Sequence, residues 1–313
     1  MKLRDMVLAV LTSVIWGFGF VAVKFGLESF SAPQLTAVRF LIACLPIVLV
    51  PRPTLSWWSI VLIGMTQFTG QFLLLFFAYT QGLPPGLASV TQQMQAVFTV
   101  LLAAVFLRDL PTLRQGTGMT IAFAGLALIG LTTGADLKLT ALGLALAGAC
   151  SWAVGNVLVK RTSHVPMFSL VAWCSLIPPL PALLVSSLYD PGLPLLEAVC
   201  NASWLSIGAV VYLGALATVV AYATWGYLLQ RYATVVVAPF TLLAPCTGIL
   251  TSAAIFGEVF RPLRYAGMAL ILGGLAVIVL PAEWLEWLHP SRSSASASGD
   301  VSCEGLTEGT SGS

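Results

Sequence analysis

The chain has 313 residues, of which 58% are hydrophobic and only 8% charged, with a net charge of +2 and a mean hydropathy of +0.95. Soluble domains carry about 25% charged and about 45–50% apolar residues, so this composition excludes a soluble enzyme or a secreted disulfide scaffold. The small net charge offers no basic footprint for a nucleic-acid backbone. What remains is a membrane protein with many spans and little mass outside the bilayer.

Apolar stretches of about 20 residues broken by charge, Pro or Gly predict ten spans: 7–27, 34–50, 58–80, 86–107, 114–132, 140–159, 168–188, 204–229, 235–256 and 264–281. The runs do not alternate apolar with polar residues, as barrel strands would, so the spans are helices. Lys2 and Arg4 before the first run resemble a signal peptide. The run is long enough to span and ends in no small-residue cleavage site, which predicts a retained helix. Connections are short, and the longest is 189–203. With the N-terminus inside, nine Lys and Arg fall on the cytoplasmic side and five on the outer side. This bias predicts both termini in the cytoplasm. Residues 282–289, with Trp284 and Trp287, suit an interfacial segment. The Ser- and Gly-rich residues 291–313 have too little apolar surface to fold. The six cysteines (Cys44, Cys150, Cys174, Cys200, Cys246 and Cys303) show no CxxC spacing and read as buried single thiols.

The chain also repeats itself. Trp16, Gly19 and Lys24 follow the same W-x-x-G-x-x-x-x-K pattern as Trp152, Gly155 and Lys160, 136 residues on. Asp109, Gly118 and Gly125 match the spacing of Glu258, Gly267 and Gly274 at an offset of 149. The longer 189–203 loop accounts for the difference between the offsets. Five spans per repeat is an odd number, so the halves must enter the membrane in opposite senses, an architecture common in secondary transporters. The expected fold is therefore an all-α membrane protein with ten transmembrane helices as two inverted five-helix repeats, residues 1–132 and 133–281, followed by a tail at 282–313.

These motifs and the ten-helix plan resemble the EamA-like branch of the drug/metabolite transporter superfamily, over residues 1–281. The resemblance implies a bacterial inner-membrane carrier, often an exporter of amino acids or related metabolites. It also implies a central cavity between the halves, lined mainly by the first four helices of each. Arg39 matches a basic position common near the start of helix two in that family.

The residues themselves supply candidates for the cavity. Arg39 sits about 8 Å into helix two at 1.5 Å per residue, and Lys24 lies three residues from the end of helix one. Either could snorkel outward, or hold a substrate carboxylate on the outer path. Trp16, Phe20 and Lys24 share a helix face, as do Trp152, Asn156 and Lys160. The mid-span amide of Asn156 should face protein or a cavity. Gln67 and Gln71 share a face, and Thr91, Gln92, Gln93 and Gln95 cluster in helix four. Lipid cannot satisfy so many polar groups, so they either bind the polar groups of a zwitterion or glue helices together. Tyr222, Trp225 and Thr241 are the polar and aromatic candidates of the second half. Pro178, Pro179, Pro181, Pro239 and Pro245 predict kinks.

No acidic residue falls within a predicted span, and both His164 and His289 lie outside spans. A mid-membrane carboxylate or histidine relay is therefore not visible. Glu28 could still titrate in an outer vestibule. There is no Walker A motif, H-E-x-x-H or paired intramembrane carboxylate, so no catalytic residue, metal or cofactor is expected. The partners expected are a small-molecule substrate and the bilayer, with the chain a monomer or homodimer and no nucleic acid bound. The substrate contacts expected are Trp16, Lys24, Arg39, Gln71, Gln92, Asn156, Tyr222 and Trp225, in an alternating-access exporter of small polar metabolites. A membrane-embedded enzyme and a receptor or channel are the alternatives.

Overall fold

The computed structural model describes residues 1–107, 111–132, 137–161, 165–189, 194–232, 240–241 and 243–279. Asp109, His164, Asp190, Pro239 and Cys303, and the expected interfacial segment and tail from 282 onward, lie outside the described residues.

Every regular element among the described residues is helical. In chain order they are α1 (Leu3–Gly26), α2 (Ala32–Ala43), α3 (Trp57–Ile63), α4 (Gln71–Thr80), α5 (Pro85–Thr91), α6 (Met94–Leu107), α7 (Leu113–Gly130) and α8 (Leu139–Lys160). Then follow α9 (Met167–Cys174), α10 (Pro179–Tyr189), α11 (Leu195–Asn201), α12 (Trp204–Val211), α13 (Ala221–Arg231), α14 (Leu243–Phe256) and α15 (Pro262–Val279). Six rods are long and apolar enough to cross a membrane: Leu3–Gly26, Trp57–Thr80, Pro85–Phe106, Leu139–Val159, Met167–Leu188 and Trp204–Trp225. Ala32–Val48, Leu243–Phe256 and Pro262–Ile278 are shorter apolar helices. This is a membrane protein fold.

Local sequence sets where the helices begin. Ser31 and Gln34 form a reciprocal capping box at α2, and Thr112 and Gln115 form another at α7. Each satisfies two backbone or side-chain donors that the first helical turn leaves open. Ser56 and Ser203 cap α3 and α12 through the amides of Ser59 and Ser206. Gly257, at φ +62°, follows α14 directly and turns the chain in a region that costs other residues strain.

Several expected single helices are interrupted. The run 58–80 passes through a π-helical turn at Gly64–Gly70, and the run 204–229 through another at Tyr212–Val220. In each, a threonine hydroxyl donates five residues back, Thr69 to the Gly64 carbonyl at 3.1 Å and Thr218 to the Leu213 carbonyl at 2.8 Å. The run 86–107 breaks at Gln92–Gln93, where the amides of Gln93, Gln95 and Ala96 bond three residues back. The run 168–188 breaks ahead of Pro179, as its prolines predict. The 189–203 connection, expected as a loop, holds a short helix, α11.

Two contacts between distant parts of the chain define the packing. Helices α7 and α15 cross with Gly118 beside Gly274 and Gly125 beside Gly267, which makes the pair antiparallel. A Cβ on Gly125 would sit 2.5 Å from the Gly267 carbonyl, and one on Gly267 would sit 2.7 Å from the Gly125 carbonyl. The crossing is bolted at both ends. Arg114, near the start of α7, donates to the Val277 and Ile278 carbonyls at the end of α15 at 2.7 and 3.3 Å. Arg264, near the start of α15, donates to the Thr132 hydroxyl and carbonyl just past α7 at 2.8 and 3.0 Å. Each cation thus meets the electronegative end of the other helix.

The second contact binds α1 to α14. Gly17 abuts Thr247 and Ala244, and a Cβ on Gly248 of α14 would meet Ser89 of α5 and lie 3.5 Å from the Gly17 carbonyl. The ends of this layer carry the polar ties. Tyr232 donates to the buried Asp5 carboxylate at 2.6 Å, with Arg231 Nε 3.7 Å from the same oxygen. Glu258 accepts from the Gly86 amide at 3.3 Å and from the Ser252 hydroxyl. Phe40 of α2 packs against Phe68 and Phe72, and Phe72 against Phe76, with ring centroids 5.4–5.8 Å apart.

The crossing predicts a sharp contrast between glycines. Gly125→Leu has no room and should lower the melting temperature of the detergent-purified protein by at least several degrees, or abolish its recovery. Gly143→Leu, at a position with no atom within 4 Å of an added Cβ, should melt like the wild type. Equal melting of the two variants would refute the crossing.

Candidate substrate cavity

A cavity of about 350 Å³ lies among α1, α2, α4, α8 and α13 and the two π turns. That is near the small end of the range of about 300–1,000 Å³ seen for small-molecule sites. Its aromatic wall is built on α1 and α13. Trp16 packs against Tyr222 and Trp225 at 5.4 Å each, and its indole nitrogen donates to the Ala217 carbonyl at 3.1 Å. Tyr222 also meets Phe68 edge-on at 6.3 Å. Each aromatic therefore has fixed neighbours, and the wall is rigid.

Arg39 of α2 is the cation of the cavity. It is 4% exposed, so it does not snorkel. Its Nε and Nη2 both donate to the Thr218 hydroxyl, at 3.2 and 3.1 Å. That hydroxyl has already given its own proton to Leu213, so its lone pairs are free to accept. The guanidinium lies 3.9 Å from the Phe72 ring centroid, a cation–π arrangement that substitutes in part for lost hydration. Among the described residues no carboxylate pairs with Arg39. A guanidinium has five N–H donors, so donors remain for something that enters the cavity.

A third wall is made of amides from the α4–α8 side. Gln67 donates to Asn156 at 3.3 Å, and Asn156 donates to Gln95 at 3.0 Å and to Thr99 at 3.1 Å. These bonds tie the first π turn, α8 and α6 together. Gln92 donates to the Ala145 carbonyl of α8 at 3.1 Å. The side-chain carbonyl oxygens of Gln71 and Gln92 are buried and have no partner among the described residues.

The structure brings seven of the eight expected contacts to this one cavity: Trp16, Arg39, Gln71, Gln92, Asn156, Tyr222 and Trp225. Lys24 is not among the lining residues. It is exposed, with its ammonium 3.8 Å from the Phe256 ring centroid. Successive steps of four residues on a 3.6-residue helix drift around the axis, and by Lys24 the face has turned away from the cavity that Trp16 and Phe20 still line. Trp152, Gln93, Gln95 and Thr241 also line it. The sequence reading missed Phe72 and Thr218, the two residues that hold Arg39. Phe72 is one of several phenylalanines in an apolar run, and Thr218 is a lone threonine in another, so neither stands out. Only the geometry of the π turn brings Thr218 to the guanidinium.

The same backbone contact occurs twice. Gly214 abuts the Arg39 carbonyl and Ile42, and Gly64 abuts the Cys174 carbonyl and Ile177. Cys174 therefore makes the same kind of glycine contact as Arg39 but carries a thiol instead of a cation, and it does not line the cavity.

Comparison with known proteins follows from this geometry. A model of the EamA-like transporter family matches residues 3–131 and again 139–280. The chain is 36% identical over 286 residues to a Salmonella typhimurium protein described as a probable amino-acid metabolite efflux pump, covering 89% of this chain and 96% of the relative. It is 34% identical over 291 residues to an Escherichia coli protein of the same description, covering 91% and 97%. A Streptantibioticus cattleyicolor protein described as a probable terminal-alkyne amino-acid exporter is 28% identical over 293 residues, covering 89% and 94%. A crystal structure at 21% identity superposes with a TM-score of 0.63, covering 91% of this chain and all of the other, and shares the fold.

The amide network makes a prediction about stability. Asn156→Leu leaves Gln67 and Gln95 without their partner and should destabilise the protein by about 1 kcal/mol, the scale of interhelical hydrogen bonds in membranes. Thr99→Val removes one of two acceptors and should cost less. Denaturant titration in mixed micelles measures both, and unchanged stability of Asn156→Leu would show that the network holds nothing together.

Proposed function

The chain belongs to the EamA-like transporter family, and on that premise we propose that it is a secondary transporter exporting amino-acid metabolites across the bacterial inner membrane. The observation that carries the reading is Arg39, a buried cation with no carboxylate partner among the described residues, on the wall of the cavity. Retaining an intramembrane cation is costly and marks a functional site. Its planar donors suit a carboxylate in two-point contact. The aromatic wall of Trp16, Tyr222 and Trp225 takes the organic part of the substrate.

The reading includes alternating access by two inverted five-helix repeats, residues 1–132 and 133–281. Three observations support it. The family model matches the chain twice in succession. The π turns at Gly64–Gly70 and Tyr212–Val220 carry the same threonine bond. The α7–α15 crossing is reciprocal, with each glycine and each arginine answered by its counterpart. In this scheme the halves rock about the cavity and open it to one side at a time. Both termini face the cytoplasm, and the working unit is a monomer or homodimer. Lys24 and Glu28 lie on the outer approach.

The test is efflux from proteoliposomes loaded with amino acids and their derivatives, with and without a pH gradient. Selective efflux is the expected result, and Arg39→Gln should reduce it at least tenfold at matched incorporation, for substrates carrying a carboxylate. Undiminished efflux by Arg39→Gln would remove Arg39 from the site. Absence of selective efflux from folded wild-type protein would overturn the export reading.

A further inference from the structure

The cavity holds a second unmet valence besides Arg39. Gln71 and Gln92 both line it, both are 2% exposed, and the carbonyl oxygen of each has no hydrogen-bond partner. Buried polar atoms without partners are rare in native structures and call for an explanation. The direction of the Gln92 amide is fixed by chemistry. Its nitrogen donates to the Ala145 carbonyl, and turning the amide over would set oxygen against oxygen. What Gln92 leaves open is therefore an acceptor. The Gln71 side chain forms no hydrogen bond with any described residue. Both residues pack on α8 at Gly148, where an added Cβ would lie 2.9 Å from the Gln71 backbone carbonyl and 3.6 Å from the Gln92 side-chain nitrogen. Gln67 and Gln95, by contrast, are each tied to Asn156 by a hydrogen bond.

We propose that Gln71 and Gln92 form an amine subsite that selects substrates with a free 2-amino group over the corresponding 2-oxo and 2-hydroxy acids. This rests on the export reading above and specifies which part of the substrate is discriminated. A protonated amine carries three N–H donors and no acceptor, which complements the fixed acceptor of Gln92 and the Gln71 amide, whose oxygen no described residue engages. A 2-oxo acid brings only acceptors to the same place, and a 2-hydroxy acid brings one donor. The carboxylate common to all three goes to Arg39, so Arg39 provides affinity for acids in general while the glutamines provide the distinction among them. A site whose buried polar groups are left unpaired by the wrong ligand rejects it far more strongly than an apolar pocket rejects a misfit. Each hydrogen bond from a charged donor is worth about tenfold or more in affinity.

The test uses the purified full chain in detergent and in proteoliposomes. The probes are the common L-amino acids, each measured against the 2-oxo acid and 2-hydroxy acid of the same side chain, by thermal shift and by competition for efflux. Wild-type protein should bind whichever side chains it accepts at least tenfold more tightly as the amino acid than as the oxo acid, with the hydroxy acid between. In the Gln71→Met, Gln92→Met double variant this ratio should fall toward one, while the affinity for the oxo acid is kept. Should the double variant fail to fold, Gln71→Met alone carries the test, because it breaks no hydrogen bond within the protein, and its ratio should fall at least threefold. A general loss of packing would lower the affinity for all three ligands together and leave their ratio unchanged. A wild type that binds amino and oxo acids equally, or a variant that keeps the wild-type ratio, overturns the proposal and assigns the two oxygens to bound water. Binding of none of the probes by folded wild-type protein overturns the export reading along with it.

Discussion

Helices in a bilayer gain nothing from burying apolar surface against each other, because the lipid around them is equally apolar. What holds this molecule together is close approach of backbones, and glycine is where that approach happens. Gly125 against Gly267, Gly118 against Gly274, Gly17 against α14 and Gly214 against α2 each leave no room for a Cβ. All four join an element of the first half of the chain to one of the second. Dispersion forces fall away within an ångström of optimal contact, so these sites set the spacing of everything between them. The cavity is the space left where larger side chains, Trp16, Phe72 and Trp225, keep the backbones apart.

The second constraint is polar. With no water in the hydrocarbon region, each backbone or side-chain donor must find a protein acceptor or a ligand. The helix ends meet this demand through the capping boxes and through Arg114 and Arg264, each of which caps the helix opposite. The π turn at Tyr212–Val220 meets it differently. Its looser winding lets Thr218 bond back to Leu213 and still receive Arg39. An intramembrane guanidinium is thus held by one hydroxyl and one aromatic face, enough to fix its position without neutralising it. A carboxylate in place of Thr218 would neutralise the charge and leave little attraction for a substrate anion.

The apolar helical character and the repeated motifs were legible because both rest on coarse signals, apolar run length and ordered spacing of Trp, Gly and charge. The cavity was legible in part, because polar residues such as Gln71, Gln92 and Asn156 stand out in a hydrocarbon-rich chain and must face something other than lipid. What could not be read was the local winding. Nothing in Gly64–Gly70 or Tyr212–Val220 marks a π turn, since the extra residue per turn is fixed by how neighbouring helices dock. Thr218 as the partner of Arg39 and the break at Gln92–Gln93 depend on that docking. Arg114 and Arg264 read as topology signals, yet act as caps across the α7–α15 pair, a role that only the three-dimensional crossing reveals. Lys24 stood in register with Trp16 by fours, but such a row winds slowly around the helix and leaves the cavity before it reaches the lysine.

The glycine contacts come in pairs, but the cation of the cavity does not. Gly214 grips α2 at Arg39 and Ile42 as Gly64 grips α9 at Cys174 and Ile177, so the backbone at Cys174 would accommodate the same position in the other half. Cys174 is not among the residues lining the cavity. A second guanidinium placed near enough to share the cavity would repel the first, and it would bear its own cost of leaving water. A substrate with one carboxylate could answer only one of them. The other would stay unpaired in every state of the cycle. One cation on one side, with acceptor amides elsewhere on the wall, gives the cavity a polarity that a symmetric pair would cancel. That polarity matches a ligand carrying opposite charges at its two ends.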